Sequence, residues 1–227
     1  MLTAVKNQIK VIFLSIKYNI MKQMVNKVTF ITNILFMILN NATFIIQWVI
    51  LFHIKDEIGG YGMKEIFLLW GFAASTYGFA HILFSKAFTI PDLIINGKLD
   101  TFLVQPKNVF LGVISSETRI SAIGDLLYGY ICLILYGITL KSFALFTLFS
   151  ITGAIILTSF VSIVGSLSFW LIKSEQLANS LTTVMINFAT YPSSIFKWTV
   201  RLLLYTLVPV GIANYMPVEI ILKFDFR

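Results

Sequence analysis

Long uninterrupted runs of apolar residues constrain this chain more than any other feature of its sequence. Each residue of a helix rises ~1.5 Å, so about twenty apolar residues cross the ~30 Å hydrocarbon core of a membrane. Several runs reach that length, and only 12% of the 227 residues are charged, whereas 58% are hydrophobic. A transmembrane β-barrel would instead show short segments of alternating polarity. The sequence therefore predicts an all-α polytopic integral membrane protein.

The predicted order of segments is an N-terminal amphipathic helix, about five transmembrane helices and a re-entrant segment. Residues 1–27 place lysines among apolar residues at helical spacing, as in a helix that lies on the cytoplasmic face of a membrane. A frayed basic leader that only sets orientation is the alternative. Residues 28–227 are predicted to form a single transmembrane domain. Its first four crossings are expected at Val28–Ile54, Glu65–Phe88, Arg119–Leu140 and Phe143–Ile172.

The last part of the chain admits two arrangements, because prolines within residues 192–217 interrupt any simple helix. In the first, residues 176–195 cross the membrane and residues 198–213 re-enter it from the outside. In the second, residues 177–197 lie on the inner surface and residues 198–216 cross. Both obey the positive-inside bias with the N-terminus in the cytoplasm, the second more cleanly. The residues leave this choice open, and in both arrangements the C-terminus faces outward.

Amide side chains within the predicted crossings mark a candidate substrate path. Asn33, Asn40 and Gln47 are seven residues apart and lie on one face of the first crossing. An amide in a bilayer needs a partner on a neighbouring helix or a wet surface, so interhelical hydrogen bonding and substrate contact are both open. For the second use, we expect Asn33 and Asn40 of the first crossing and Asn187 of the fifth to contribute.

Asp125 is the most deeply placed acidic residue of the predicted crossings. A carboxylate inside a membrane is costly unless it is paired or hydrated. We therefore expect Arg119 or a lysine to pair with Asp125, and a proton-relay role is the alternative. Cys132, the only cysteine, lies in an apolar run, which excludes a disulfide within the chain and is typical of a packing residue.

Motifs of several enzyme classes are absent from the sequence. There is no Gly-x-x-x-x-Gly-Lys-Ser/Thr phosphate loop, no His-Glu-x-x-His zinc motif and no Gly-x-Ser-x-Gly nucleophile motif. We therefore expect a non-enzymatic protein with no catalytic residue, metal or cofactor of its own. The net charge of +7 is spread among the crossings without a nucleic-acid-binding signature, so we expect no nucleic-acid partner.

A polar hinge, residues 89–108, interrupts the apolar pattern between the second and third crossings. It contains PDLIINGKLDTFLVQPKN, which carries the pattern Gly-x-Leu-Asp-x-x-Leu-x-x-Pro. The residues of this pattern are Gly97, Leu99, Asp100, Leu103 and Pro106. The hinge resembles the loop between the second and third spans of the permeases of bacterial type-2 ATP-binding-cassette exporters. The proline-punctuated residues 188–222 are similar to that family too, so the resemblance covers most of the chain.

The resemblance implies a transmembrane permease subunit of an ATP-driven exporter in the bacterial cytoplasmic membrane. Its partners would be membrane lipids, a second permease copy or a related permease, and cytoplasmic ATPase subunits that bind ATP and Mg²⁺. The hinge would rest in a groove of the ATPase, with Leu99, Phe102 and Leu103 as apolar anchors. The coupling residues expected on this basis are Asp92, Gly97, Lys98, Leu99, Asp100, Leu103, Pro106 and Lys107.

The resemblance also implies six crossings and favours the first of the two C-terminal arrangements. The sequence ends at KFDFR without a sixth crossing, so that helix is expected to be missing. This expectation gives mild support to a rival function, a non-transporting membrane scaffold or an immunity protein that binds a toxin or partner helix. An ion-driven secondary transporter would need ionisable residues at the membrane midplane and internal repeats of crossings, which the sequence lacks.

Overall fold

The computed structural model describes residues 2–171 and 174–225, and these residues are almost entirely helical. Apart from the isolated bridge between Ile58 and Tyr61, they contain no β-structure. The predicted all-α class is confirmed. The helices, in chain order, are α1 Leu2–Gln23, α2 Lys27–Phe52, α3 Met63–Phe84, α4 Ile90–Ile95, α5 Asp100–Leu103, α6 Val109–Ile114, α7 Ser121–Gly137, α8 Leu140–Ser166, α9 Ser174–Ala189, α10 Trp198–Thr206 and α11 Met216–Asp225.

Three helical stretches of the described residues are long and apolar enough to cross a membrane: Lys27–Phe52, Met63–Ile95 and Leu140–Phe169. The second of these joins α3 to α4 through a 3₁₀ turn at Ser85–Thr89. Helix α7 has 17 residues and α9 has 16, so each is about 25 Å long. These two shorter helices nevertheless run between the same two ends of the bundle.

The two ends of the bundle are defined by the connections between its helices. The hinge end carries residues 85–118, which join α3 to α7, and it also holds the start of α2 and the end of α8. The far end carries the α2–α3 loop and the short turn between α7 and α8. At the hinge end, the Asn26 side chain begins α2 by accepting a hydrogen bond from the Thr29 N–H, at 3.1 Å. At the far end, Thr139 and Ser142 form a reciprocal capping box that begins α8.

Helices α10 and α11 form a bent pair rather than a straight crossing. The segments Trp198–Thr206 and Gly211–Phe224 meet at an angle of 85°. Pro209 lies in the break between them, where its missing N–H and fixed φ oppose a continuous helix. A π-helical turn, Gly211–Tyr215, then leads into α11. The break falls within the proline-broken region 192–217.

Contacts place both ends of this bent pair at the far end of the bundle. Ser194, just before α10, donates a hydrogen bond to the backbone oxygen of Gly59 in the α2–α3 loop. The Lys141 ammonium nitrogen lies 4.6 Å from the ring centroid of Phe224, near the end of α11. The chain therefore enters and leaves on the same side, which is the course of a re-entrant segment. Helix α9 accordingly runs from the hinge end to the far end, as in the first arrangement, and does not lie across one end of the bundle as the second would require.

Close packing of α3 against α7 forms the centre of the bundle. A Cβ atom at Gly71 would lie 2.8 Å from the backbone oxygen of Gly129 and 2.6 Å from Cβ of Cys132. A Cβ atom at Gly78 would lie 2.9 Å from Cγ of Leu126. Small residues let two backbones approach closely, which favours helix association where lipid removes the hydrophobic driving force. Cys132 is buried in this contact.

We expect Gly71→Ala to destabilise the bundle. The added methyl group has no free space, so α3 and α7 must move apart, at a cost of about 1–3 kcal/mol for overpacking. The measurement is the thermal midpoint of the purified protein in detergent. It is the temperature at which half of the monodisperse size-exclusion peak is lost. The control is Val28→Ile, which adds one carbon to a side chain that is 72% exposed. Equal midpoints for Gly71→Ala and the control would contradict the close approach.

Candidate functional site

A cavity of about 540 Å³ lies among α2, α3, α7, α9 and the break between α10 and α11. Its polar lining contains the hydroxyl groups of Thr76 and Thr190 together with one carboxyl and five amide side chains: Asp125, Asn40, Asn41, Gln47, Asn187 and Asn214. Its aromatic lining consists of Phe44, Trp70, Tyr77 and Tyr191. A concave site of this size, with apolar walls and a few polar groups, is typical of small-molecule binding.

The cavity brings together two of the three amides predicted for a substrate path. Asn40 of α2 and Asn187 of α9 both line it. Asn33 lines a separate pocket of about 300 Å³ beside Lys22, at the hinge end. Although Asn33 and Asn40 share a helix face, they are about 10 Å apart along the axis at ~1.5 Å per residue. Gln47, on the same face, does line the cavity, so the spacing identified the face but not the depth.

Asp125 has an amide partner, and the prediction that it pairs with Arg119 or a lysine is wrong. Its Oδ1 accepts a hydrogen bond of 2.6 Å from Nδ2 of Asn41. Arg119 interacts electrostatically with Asp125, but the two form no ion pair in the part of the chain that the structure describes. A neutral donor on α2 therefore takes the place of the expected cation. A hydrogen bond to a charged acceptor is stronger than one between neutral groups, which favours this contact.

Gly124 permits the contact between α2 and Asp125. A Cβ atom at Gly124 would lie 2.5 Å from the backbone oxygen of Ile34 and 2.8 Å from Cβ of Met37. Helix α2 therefore approaches α7 closely one residue before Asp125, which brings Asn41 within hydrogen-bonding distance. Two features of the sequence could have indicated this contact: the Gly124-Asp125 pair in one helix and the amide-rich α2. A buried acid requires a hydrogen-bond donor, and an amide can supply it.

Four buried polar atoms of the lining residues have no hydrogen-bond partner within residues 2–171 and 174–225. These atoms are Asp125 Oδ2, Asn214 Oδ1, Thr76 Oγ1 and Trp70 Nε1. Buried polar groups in proteins are nearly always satisfied by protein, water or ligand. The residues that line the cavity therefore keep hydrogen-bonding capacity, which water or a bound molecule can use when these side chains turn toward it.

The π-helical turn fixes the end of α9, close to Asn187. Nδ2 of Asn214 donates to the backbone oxygen of Ala189 at 2.5 Å, and the Tyr215 hydroxyl donates to that of Phe188 at 2.6 Å. The last carbonyls of a helix have no partner within the helix, so these side chains stabilise its end. π-helical turns are frequent at functional sites. Here the turn also contributes Asn214 to the cavity.

We expect Tyr215→Phe to lower the thermal stability of the protein. The change removes the shorter of the two hydrogen bonds to the Phe188 carbonyl and leaves only the 3.3 Å bond from the Tyr191 N–H, at a cost of up to about 1 kcal/mol. The measurement is again the thermal midpoint in detergent. Tyr18→Phe removes the same hydroxyl from a side chain that is 63% exposed, whereas Tyr215 is 1% exposed. A midpoint for Tyr215→Phe as high as that of the Tyr18→Phe control would show that the hydroxyl is not needed.

The hinge ends α4 with a glycine-dependent turn. Gly97 has φ +65°, in the left-handed region. The N–H of Lys98 donates to the backbone oxygen of Leu93 at 2.9 Å, and the N–H of Gly97 donates to that of Ile94 at 3.1 Å. This pair of bonds is the Schellman motif, which commonly places glycine after a helix end. Pro106 lies in the exposed bend that follows α5.

The apolar residues of the hinge divide into an inward and an outward set. Leu99 and Phe102 pack against a small buried cluster that includes Leu93. Leu103 is 57% exposed and Val104 is 84% exposed. Leu103 therefore does not hold the hinge on its own bundle. We call Leu103 and Val104 the apolar tip of the hinge.

The charged residues of the hinge also differ in exposure. Lys98 and Asp100 are exposed. Asp92 is half-buried in α4. Lys107 is half-buried, and its side chain lies over Gly112, where a Cβ atom would be 2.7 Å from Cε of the lysine. Lys98 and Asp100 thus lie on the surface that a partner can reach, whereas Asp92 and Lys107 lie nearer the bundle.

Helix α1 is attached to the segment that follows the hinge. Three of its side chains, four residues apart, donate hydrogen bonds to backbone oxygens of residues 115–118. The bonds join Ser15 to Ser115 at 3.0 Å, Asn19 to Ser116 at 3.0 Å and Gln23 to Thr118 at 2.7 Å. We call these three α1 residues the α1 clamp. An ion pair of 2.7 Å between Lys86 and Glu117 also holds this segment. Sequence reasoning missed the clamp, although its residues recur at helical spacing.

We expect the double variant Asn19→Ala/Gln23→Ala to loosen α1. Each change leaves a backbone carbonyl without its donor, at a cost of about 1 kcal/mol. Amide hydrogens of α1 should then exchange faster, as measured by hydrogen–deuterium exchange with mass spectrometry. Lys17→Ala changes an exposed side chain of the same helix and should leave the exchange unaltered. Wild-type exchange in the double variant would contradict a clamping role.

A membrane helix bundle with a polar cavity and an exposed, turn-rich hinge is typical of a membrane transport protein. The family model described as ABC-2 family transporter protein matches residues 38–224, and the chain belongs to this family. The family that the sequence resembles is thereby confirmed. The chain is a membrane permease component of an ABC transporter, of a kind that is generally non-catalytic and normally works with ATP-binding-cassette ATPases. No curated protein and no solved structure gives a significant match.

Proposed function

We propose that this chain is the membrane-spanning subunit of an ATP-driven exporter and that its hinge couples it to separate ATPase subunits. The observation that carries this proposal is the construction of the hinge, an exposed tip on an anchored base. ATP and Mg²⁺ are bound by the ATPase subunits in this proposal. The chain itself contributes the substrate path and performs no covalent step.

The base of the hinge is anchored so that it can transmit a displacement. Leu99 and Phe102 pack against the same small cluster as α4. Helix α4 in turn contacts α8, since a Cβ atom at Gly165 would lie 3.2 Å from Cδ of Pro91 and 3.3 Å from Cβ of Ile90. Closely packed groups cannot yield without moving their neighbours. A push on the hinge therefore passes through α4 to α8 and the bundle.

The tip of the hinge offers an ATPase both apolar contact and charge. Leu103 and Val104 present apolar surface for a groove. Lys98 and Asp100 flank this tip and are exposed, and Gly97 sets its direction by ending α4. Buried apolar contacts supply affinity at such interfaces, and flanking charges guide association and select the partner.

The orientation that we propose places the hinge end in the cytoplasm, with the N-terminus on the same side of the bacterial cytoplasmic membrane. Lysines of α1 support this orientation: Lys6, Lys10, Lys17 and Lys22. The α1 clamp holds these lysines at the hinge end. Cytoplasmic segments carry an excess of lysine and arginine, and anionic lipids of the inner leaflet attract them.

The assembly that we propose contains two permeases and two ATPases. Each hinge receives one ATPase, and the second permease is another copy of this chain or a related one. Helix α2 supports this assembly, because large apolar side chains along it are exposed, including those of Leu35, Phe36 and Leu39. In the proposed assembly, this surface contacts lipid and the second permease.

We expect an ATPase subunit to copurify with the tagged chain from its native host in mild detergent. Mass spectrometry would identify it by a nucleotide-binding phosphate loop. Asp100→Lys combined with Leu103→Asp should lower its recovery at least about tenfold, because the first change reverses a charge beside the tip and the second replaces an apolar contact by a charge. Asp56→Asn, in the exposed α2–α3 loop, is the control and should leave recovery unchanged.

The alternative function makes the opposite prediction for this experiment. A non-transporting scaffold or immunity protein would yield no ATPase from the wild-type chain in any of several detergents. Equal recovery from the hinge variant and the wild type would contradict coupling through the hinge. The size-exclusion profile of the hinge variant checks that the protein remains folded.

A further inference from the structure

We propose that the cavity binds the protonated amine of an amphiphilic organic cation, with Asp125 as the counter-ion. This inference names the substrate class and rests on the proposed transport function. It follows from three properties of the cavity: the sign of its charge, the surplus of hydrogen-bond acceptors at its wall, and its aromatic faces.

The charge of the lining is negative. Asp125 is 4% exposed, and no lysine, arginine or histidine of the described residues lines the cavity. A carboxylate buried in a membrane protein is costly unless a cation compensates it. A phosphate or carboxylate ligand would add a second negative charge to the site and is therefore disfavoured. A neutral polyol could bond the amides but would leave the carboxylate without a counter-ion.

Arg119 does not neutralise Asp125 by direct contact. The guanidinium acts on the carboxyl group electrostatically from outside the lining. Within residues 2–171 and 174–225, Asp125 Oδ1 is bonded to Asn41, whereas Asp125 Oδ2 has no partner. Arg119 thus lowers the cost of the charge, and one carboxylate oxygen stays without a partner in the described residues and can turn toward a ligand.

A protonated amine matches the polar groups that remain at the wall. An ammonium group carries only donors, so it needs several acceptors around it. Asp125 Oδ2 and Asn214 Oδ1 are acceptors without a partner in the described part of the chain. The amides of Asn40, Gln47 and Asn187 add further carbonyl oxygens to the lining. The amine can therefore exchange its hydration shell for fixed acceptors.

The aromatic residues suit both the charge and the apolar body of such a ligand. The rings of Phe44 and Trp70 are stacked at 5.3 Å, and both residues line the cavity. Tyr77 and Tyr191 provide two more rings. Aromatic faces attract cations through their quadrupole and also bury apolar groups. The volume of about 540 Å³ fits an amine with one or two rings attached.

The test compares two fluorescent probes that differ in one charge. Dansylcadaverine carries an alkyl amine that is protonated at neutral pH, and its N-acetyl derivative keeps the same dansyl group and chain without the charge. Binding of each to the purified full-length chain is followed by dansyl fluorescence, with empty micelles as the blank. We expect the wild-type chain to bind dansylcadaverine about tenfold more tightly than the acetylated probe, as for one charge-assisted contact.

Variants assign this preference to the cavity. Asp125→Asn keeps the shape and an acceptor for Asn41 but removes the charge, and it should bring the two probes to equal affinity. Asp56→Asn removes an exposed carboxylate of the α2–α3 loop and should retain the preference. Asn187→Asp adds a second carboxylate to the lining and should increase the preference several-fold. If Asp125→Asn loses its monodisperse size-exclusion peak, Asn187→Asp shows whether the preference for the charged probe arises in the cavity.

Three results would overturn the inference: equal affinities of the wild-type chain for the two probes, an unchanged preference in monodisperse Asp125→Asn, or no gain in Asn187→Asp. The binding assay contains no ATPase, so it is independent of the copurification experiment. An ATPase recovered with a chain that does not distinguish the probes would overturn only the cation site. A preference for the charged probe in a chain that recovers no ATPase would overturn only the exporter function.

Discussion

The close approach of three helix backbones is the constraint on which the cavity depends. In a membrane, lipid is as apolar as the side chains, so helices associate through packing and hydrogen bonds rather than through the exclusion of water. Gly71 and Gly129 let α3 and α7 touch, and Gly124 lets α2 approach α7. This geometry brings Asn41 to Asp125 and leaves the space between α2, α3 and α9 as a cavity. The contact and the cavity are thus two results of one arrangement.

The positions of the main crossings could be predicted because the thickness of a membrane sets the length of each apolar run, which can be read from consecutive residues. The first crossing, expected at Val28–Ile54, is Lys27–Phe52, and the second, expected to begin at Glu65, begins at Met63. The partner of Asp125 could not be predicted in the same way. Arg119 was the nearest cation along the chain, but the partner is Asn41, an amide on another helix. A local pattern identifies a costly group without identifying which helix lies beside it.

The hinge shows the same division between local and tertiary information. The turn at Gly97 could be expected, because a positive φ after a helix is a local requirement that glycine meets. The opposite directions of Phe102 and Leu103 depend on where the cluster at the base lies. Asn33 is a related case, since its helix face was evident but its depth relative to the cavity was set by α9 and the re-entrant segment. The fold is therefore needed to decide which predicted coupling residues are exposed and which predicted path residues line the cavity.

The α1 clamp constrains the sequence of α1 more strongly than the sequence of residues 115–118. Its acceptors are main-chain oxygens, which every residue supplies, so the side chains at 115, 116 and 118 are not what the clamp recognises. Its donors are side chains of α1, and they must keep both their identity and their register. A single inserted residue between Ser15 and Gln23 would rotate the later donors by about 100° around the helix. As far as the clamp is concerned, the side chains at 115, 116 and 118 can therefore be substituted freely. Helix α1 tolerates substitutions on its other faces, but no insertion or deletion between Ser15 and Gln23.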